Sequence, residues 1–177
     1  MTVLGDLEGR TAVRRSGATP GSIVAVAGEL GRSAAGYDLW HNGIDGFDEL
    51  RRRHLVPEPP YRQGVAAAAA GAQAMIDISD GLVADLCHVA QASAAGIEVS
   101  TAALAHDHAA LTAAAAAVDA DPWRWVLGGG EDHALVACFA AAVPRGWRVI
   151  GRVVDGPARV LIDGTEWGGY AGWQSFD

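Results

Sequence analysis

Short apolar runs bounded by glycine, proline or polar residues recur along the chain and predict the strands of a sheet. Residues 21–28 (GSIVAVAG) form the first such run, which is closed at both ends by glycine. Residues 158–162 and 165–167 flank Asp163-Gly164, a dipeptide typical of a tight hairpin turn. Further strands are predicted at residues 74–78, 97–100, 133–139 and 148–154.

Longer stretches between these runs carry helix signals. Ser33 offers an N-cap for a helix that extends to Trp40, and residues 65–74 are rich in alanine, the strongest helix former. Residues 82–95 put apolar side chains on one helical face, after a cap at Ser79 or Asp80 and before a stop at Gly96. A further helix is predicted at residues 107–118, and the prolines of residues 57–60 indicate an extended connector.

The alternation of strands and helices, with a hairpin near the end, predicts an α/β (α+β layered) fold in which helices cover a mixed β-sheet. A length of 177 residues fits one domain, which we assign to residues 18–177. Residues 1–17 are harder to assign. We expect them to be the end of a unit that begins further upstream.

Composition argues against several classes of function. Half of the residues are apolar, which is enough for a packed core, and 13 basic against 21 acidic side chains give a net charge of −8. A nucleic-acid binder would need a basic face, whereas bound Mg²⁺ can still connect acidic side chains to phosphate ligands. No apolar stretch is long enough for a membrane span. Cys87 and Cys138 lack metal-ligand spacing, and cysteines that are this few and lie in apolar stretches fit a reducing, cytoplasmic location.

The segment 75–81 (MIDISDG) is the most informative in the chain. Asp77 and Asp80 lie on either side of the hydroxyl of Ser79, where a predicted strand turns into a predicted helix. The start of a helix offers free N–H groups and the positive end of the dipole, both of which favour phosphate. Gly81 lets a ligand approach the backbone closely. Mg²⁺ is commonly held by one or two carboxylates together with substrate phosphates, so the segment is a candidate magnesium–phosphate site.

The same residues have a plainer interpretation. Aspartate and serine before a helix are ordinary capping residues, and on spacing alone a cap is the more frequent role for this pattern. Asp85, one turn into the helix, is expected to compensate the helix dipole and to be solvated.

Four motifs in order resemble one family. Residues 77–86 (DISDGLVADL) resemble the D-x-S-D-G-L-x-x-D-L signature of thiamine-monophosphate kinases, which belong to the ATP-binding superfamily of aminoimidazole-ribonucleotide synthetase and selenophosphate synthetase. Residues 15–21 (RSGATPG) with 28–36 (GELGRSAAG), residues 129–135 (GGEDHAL) and residues 172–176 (GWQSF) are similar to three further passages of that family. Together the matches cover nearly all of the chain.

The resemblance implies that ATP transfers its γ-phosphoryl group to thiamine monophosphate and gives thiamine diphosphate, with Mg²⁺ as cofactor. It implies Mg²⁺ ligation by Asp77 and Asp80, and contact of Ser79 and Arg15 with the ATP phosphates. Asp6 or Arg14 are candidates to assist Arg15. Glu131 would lie near the thiamine moiety and Trp173 would stack on it, because a cationic thiazolium is attracted to an aromatic face. Full-length members are expected to be homodimers.

The chain also departs from the family pattern. We find no counterpart of the N-terminal ATP-binding domain, which contributes further Mg²⁺-binding aspartates, and residues 1–17 resemble the end of that domain and its connector. Ser22 and Ser175 replace a frequent aspartate and histidine, and His133 replaces a tyrosine and is expected to pack on a strand. The chain alone is therefore expected to have negligible kinase activity. The alternatives are a noncatalytic module that binds nucleotide or thiamine phosphate, a degenerate remnant, and a related synthetase of the superfamily.

Overall fold

The computed structural model describes residues 5–7, 9–170 and 172, and these residues contain one mixed sheet with helices on both faces. The sheet has seven strands in the order β2-β4-β1-β5-β3-β6-β7. Their bounds are β1 Ile23–Ala27, β2 Ala72–Ile78, β3 Gly96–Val99, β4 Ala134–Phe139, β5 Arg148–Val154, β6 Val160–Ile162 and β7 Thr165–Glu166. The predicted α/β class, with a mixed sheet covered by helices, is confirmed.

Six α-helices and one 3₁₀ turn connect the strands in the described part of the chain. They are α1 Arg32–His41, α2 Asp48–Leu55, α3 Tyr61–Ala69, α4 Leu82–Ser93, α5 Ala105–Ala117 and α6 Pro122–Gly128, with the 3₁₀ turn at Thr101–Leu104. None of the described helices is long and apolar enough to cross a membrane.

Strand alternation divides the core between the two faces of the sheet. On β1, Val24 and Val26 join a large core that α1, α4, α5 and α6 cover, whereas Ala25 and Ala27 join a small core under α3. Strand β1 is antiparallel to both β4 and β5, and β3 is parallel to β6, so the sheet is mixed. Strand β2 lies at one edge, and its last residue leads directly into the turn before α4.

The main departures from the predicted elements lie in the alanine-rich segment and in two unpredicted helices. The helix predicted at 65–74 is α3, which ends at Ala69, and β2 begins at Ala72. Gly71, with a φ of 80°, turns the chain between them. Helix α2 is too polar for an apolar stripe to reveal it, whereas α6 carried an overlooked signal: Asp121 caps it and Pro122 occupies its first turn.

Candidate functional site

The turn between β2 and α4 is formed by Ser79, Asp80 and Gly81, which belong to neither element. Gly81 has a φ of 138° and a ψ of 151°, a conformation that residues with a side chain rarely adopt. Ser79 and Asp80 are half-buried, while Asp77 at the end of the edge strand is exposed. The turn therefore presents a hydroxyl and carboxylates at the rim of the sheet.

Asp85 holds this turn from within the protein. Its Oδ2 atom accepts hydrogen bonds from the backbone N–H groups of Ser79, Asp80 and Gly81, at 3.0, 3.1 and 3.1 Å. Asp85 is only 2% exposed, so the prediction of a solvated residue is wrong. The predicted cap at Ser79 or Asp80 is wrong too, because Gly81 takes the N-cap position and no side chain caps the helix. Burial raises the pKa of Asp85, against the lowering effect of the backbone donors.

One side of the turn opens on a cavity of about 530 Å³, which we call the arginine cavity. It brings together four residues of the predicted site. Those residues are Arg15, Asp77, Ser79 and Asp80, and Arg14, Asp85 and His88 also line the cavity. Asp6 lies instead along a separate depression beside Tyr61 and Val65.

The arginines reach this cavity because the segment before β1 is fixed to β2 and α4. The backbone N–H of Met75 donates to the carbonyl oxygen of Arg14 at 2.9 Å. The hydroxyl of Ser93, at the end of α4, donates to the carbonyl oxygen of Arg15 at 3.3 Å. Both arginine side chains stay exposed and can meet an anion from solvent.

The carboxylates of Asp77 and Asp80 are available to a cation. Within the described part of the chain, neither forms a hydrogen bond or an ion pair. Ligand atoms of Asp80, Asp85 and His88 lie within 4.8 Å of one another. This group does not include Asp77. Oδ2 of Asp85 already accepts three N–H donors, which leaves its Oδ1, whereas the carboxylates of Asp77 and Asp80 are of the type that Mg²⁺ prefers, with water and phosphate oxygens completing the shell.

The other side of the same turn borders a cavity of about 400 Å³, which we call the aromatic cavity. Ser79 and Asp80 line it as they line the arginine cavity. Its remaining wall combines rings with a few charged groups and the glycines of the predicted G-G-E-D motif. The lining includes Tyr37, Asp38, His54, Arg124, Trp125, Gly128, Gly129, Gly130, Glu131 and Tyr170.

The loop after α6 carries Glu131 into this cavity and is tied to the turn. The N–H of Glu131 donates to the carbonyl oxygen of Ser79 at 2.9 Å, and the N–H of His133 donates to that of Ile78 at 3.1 Å. Glu131 and His133 have positive φ angles of 65° and 53°. Non-glycine residues in this region are uncommon and cluster at functional sites. His133 precedes β4, so its predicted place on the strand is wrong; its Nε2 lies 3.6 Å from Oε2 of Glu131.

Asp132 fastens the same loop to the beginning of α1. Its carboxylate accepts hydrogen bonds from the N–H groups of Gly31 at 2.6 Å and Ser33 at 2.8 Å. The predicted N-cap at Ser33 is therefore wrong: Gly31 is the N-cap, and the acceptor comes from a residue about a hundred positions away. Burial raises the pKa of Asp132 to about 7, although the backbone donors favour its charged form.

Sequence reasoning missed several residues of the aromatic cavity. Trp125 is 1% exposed, and its indole N–H donates to Oδ2 of Asp38 at 2.7 Å. The Oγ of Ser33 lies 2.9 Å from Nδ1 of His54. An aromatic residue in a short capped helix just before three glycines was the available signal for Trp125. No pattern marked His54, and the predicted stacking residue Trp173 lies outside the described residues.

Comparison with known proteins agrees with the motifs. A thiamine-monophosphate kinase of Mycobacterium tuberculosis is 71% identical over 176 residues, which are 99% of this chain and 53% of that protein. The chain belongs with the thiamine-monophosphate kinases, whose C-terminal half it matches. It spans about half the length of the curated relatives it resembles. No protein-family model matches the chain.

Solved structures agree with that assignment. A structure described as AaThiL complexed with AMPPCP and TMP superposes with a TM-score of 0.80 at 32% identity, over 93% of this chain and 54% of that chain. The hydrogenase maturation protein HypE, in complex with ATP, superposes with a TM-score of 0.62 at 15% identity over 93% of this chain. The second likeness shows a shared fold.

Proposed function

We propose that the chain forms the C-terminal part of a thiamine-monophosphate kinase, which transfers the γ-phosphoryl group of ATP to the phosphate of thiamine monophosphate. The observation that carries this proposal is that the Ser79–Asp80 turn lines both cavities. A phosphoryl transfer requires donor and acceptor to meet at one point, with charge neutralised there. Relatives of that name, and the AaThiL complex with AMPPCP and TMP, support the choice of ligands.

In this proposal the arginine cavity receives the polyphosphate of ATP. Arg15, with Arg14 beside it, neutralises phosphate oxygens, and the hydroxyl of Ser79 donates to one of them. Asp77 and Asp80 hold Mg²⁺, which when bound offsets negative charge on the transferring group. Both carboxylates are unpaired in the described part of the chain, and a bridging cation offsets their repulsion of a polyphosphate.

The aromatic cavity receives the thiamine moiety. A thiazolium cation is attracted to the faces of aromatic rings and to a carboxylate, and the cavity offers the exposed rings of Tyr37 and Tyr170 together with Glu131. Glu131 keeps an exposed carboxylate on a loop whose backbone is fixed to Ser79. Stacking by Trp173 stays a prediction.

In this proposal, phosphoryl transfer requires further metal- and nucleotide-binding groups that the described residues do not supply. The described site offers Asp77 and Asp80 as unpaired carboxylates, and the curated relatives are about twice as long as the part they share with this chain. We propose that the N-terminal half of such a kinase completes the metal and nucleotide site and that the complete enzyme is a homodimer in the cytoplasm. The division into residues 1–17 and a kinase domain of residues 18–177 also stays a prediction.

Calorimetric titration of the purified chain tests the ligands. We expect binding of Mg·ATP and of thiamine monophosphate, and loss of Mg·ATP binding in Asp77→Asn and Asp80→Asn. Asp155→Asn, which alters an exposed carboxylate outside both cavities, is the matched control. If the two variants bind Mg·ATP as the unaltered chain does, the proposed metal site is wrong.

A coupled assay for thiamine diphosphate tests the activity. We expect negligible product from the chain alone and product when the N-terminal half of the Mycobacterium tuberculosis relative is fused ahead of it. Robust turnover by the chain alone would contradict the need for a second half. Ligand binding without turnover in the fusion would favour a noncatalytic binding module.

A further inference from the structure

We propose that Asp85 is a positioning residue that fixes the backbone of residues 79–81, so that Ser79 and Asp80 face both cavities at once. The inference rests on the proposed function and extends it to a side chain that touches neither ligand in the proposed arrangement. Asp85 is 2% exposed. Compensation of the helix dipole at the protein surface therefore does not explain its position, whereas a positioning role does.

The hydrogen bonds of Asp85 satisfy the backbone N–H groups between β2 and α4. Strand β2 ends at Ile78 and α4 begins at Leu82, so the intervening N–H groups have no partners from a strand ladder or a helix. Three of them in succession converge on Oδ2 of Asp85 at 3.0 to 3.1 Å. A buried N–H without an acceptor costs about 1–3 kcal/mol, so loss of this carboxylate would release the turn from its present conformation.

The opposite side of the turn is fixed by the chain itself. A Cβ at Gly130 would overlap the carbonyl oxygen of Ser79, and one at Gly172 would lie 2.6 Å from the carbonyl oxygen of Asp80. The N–H of Glu131 donates to the same Ser79 oxygen. The turn is therefore held between Asp85 and the glycine-containing loops, and its side chains have little freedom to leave the boundary between the cavities.

Two substitutions distinguish positioning from ligation at Asp85. Its carboxylate is close to that of Asp80, yet its Oδ2 already accepts three hydrogen bonds. A positioning carboxylate needs an oxygen acceptor more than a charge, whereas a Mg²⁺ ligand needs the charge as well. Asp85→Asn keeps an oxygen acceptor, and Asp85→Ala removes it, so the two substitutions separate the roles.

The experiment compares the unaltered chain with both Asp85 variants and with Asp107→Asn. Asp107 is an equally buried carboxylate outside both cavities, paired with Arg148, and its substitution controls for general loss of stability. Amide hydrogen exchange at residues 79–81 reports the turn, and titration with Mg·ATP reports the site. We expect Asp85→Ala to accelerate hydrogen exchange at these amides about tenfold or more, while exchange in β4 stays unchanged. We expect the same substitution to weaken Mg·ATP binding about tenfold or more.

Asp85→Asn is expected to show a smaller change in both measurements, and Asp107→Asn to lower the melting temperature without either change. Unaltered exchange and Mg·ATP affinity in Asp85→Ala would overturn the inference while the proposed function stands. If Asp85→Ala does not fold, exchange and Mg·ATP affinity are compared between Asp85→Asn and the unaltered chain. Loss of Mg·ATP affinity with unaltered exchange would indicate that Asp85 is a Mg²⁺ ligand instead. If Mg·ATP binds neither to the unaltered chain nor to its fusion with the N-terminal half of the Mycobacterium tuberculosis relative, the proposed function fails and the exchange measurement alone decides whether Asp85 holds the turn.

Discussion

The buried Asp85 and the half-buried Asp132 do at this site what caps at Ser33 and at Ser79 or Asp80 were predicted to do. Asp85 accepts from the turn before α4, and Asp132 accepts from the first residues of α1. The sequence identified the segments correctly, because glycine, aspartate and serine cluster there. It did not identify the acceptors, since a cap from six or a hundred positions away depends on the tertiary path of the chain and leaves no local pattern.

Asp132 predicts a pH dependence of stability. Its pKa rises from 3.8 to about 7 on folding, so the folded state binds a proton more tightly than the unfolded state does. This contribution is fully present below the unfolded pKa and is lost as the pH rises through the folded one. We expect the free energy of unfolding to fall between about pH 4 and pH 7, with the raised pKa of Asp85 acting in the same direction, and Asp132→Asn to reduce that slope. Parallel slopes in urea titrations of the two proteins would contradict this.

Gly130 predicts a local steric effect. A methyl group there would overlap the carbonyl oxygen of Ser79, so Gly130→Ala must displace either the loop or the turn. We expect a loss of about 1–3 kcal/mol in stability and weaker binding of both ligands, measured by thermal unfolding and calorimetric titration. Gly168→Ala is the matched control because a Cβ there has open space around it. Equal behaviour of the two variants would argue against a close fit at Gly130.

At the scale of elements, strands were predicted better than helices. The predicted bounds of β5 at 148–154 are those of the structure, because Arg148 begins the apolar run and Asp155-Gly156 follows it. The prediction was wrong at the end of the alanine-rich segment. Residues 72–74 pair with β4 and belong to β2, because this pairing outweighs the small intrinsic preference of alanine for helix. Helix α6 was not predicted because it is short. The part of the aromatic cavity wall that Trp125 forms was therefore not predicted either.

The contact between α1 and α6 predicts how that wall is held. Asp38 on α1 accepts from the buried indole N–H of Trp125 on α6. Asp38→Ala leaves this donor without its partner, and we expect it to cost about 1–3 kcal/mol and to weaken binding of thiamine monophosphate more than that of Mg·ATP. Chemical unfolding and titration with each ligand check this, with Asp155→Ala as control. Equal losses for both ligands would place the effect outside the aromatic cavity.

At the scale of the whole molecule, the family and the sheet-with-helices fold followed from ordered motifs and alternating patterns. The relation of the two cavities did not, because nothing in the sequence says that residues 15 and 77 open on one side of a turn and residue 131 on the other. Such an arrangement depends on β2 lying at the sheet edge next to β4. Sequence order alone does not specify that adjacency.

The carboxylates of Asp77 and Asp80 in the arginine cavity predict a requirement for a divalent cation. A polyphosphate without Mg²⁺ meets the unpaired carboxylates of Asp77 and Asp80 and is repelled. We expect Mg·ATP to raise the melting temperature, as a ligand of the folded state does, and ATP with a chelator to leave it unchanged. An equal rise in both conditions would show that the arginines alone capture the nucleotide.

The turn shared by the two cavities has a thermodynamic consequence. A ligand on one side restricts the backbone of the turn that the ligand on the other side also contacts. The second ligand therefore binds a turn whose conformational entropy the first ligand has already reduced. The first ligand should therefore raise the affinity for the second, and linkage requires the same factor when the order of addition is reversed. Synergy of this kind would let the protein commit to a nucleotide chiefly when an acceptor is present.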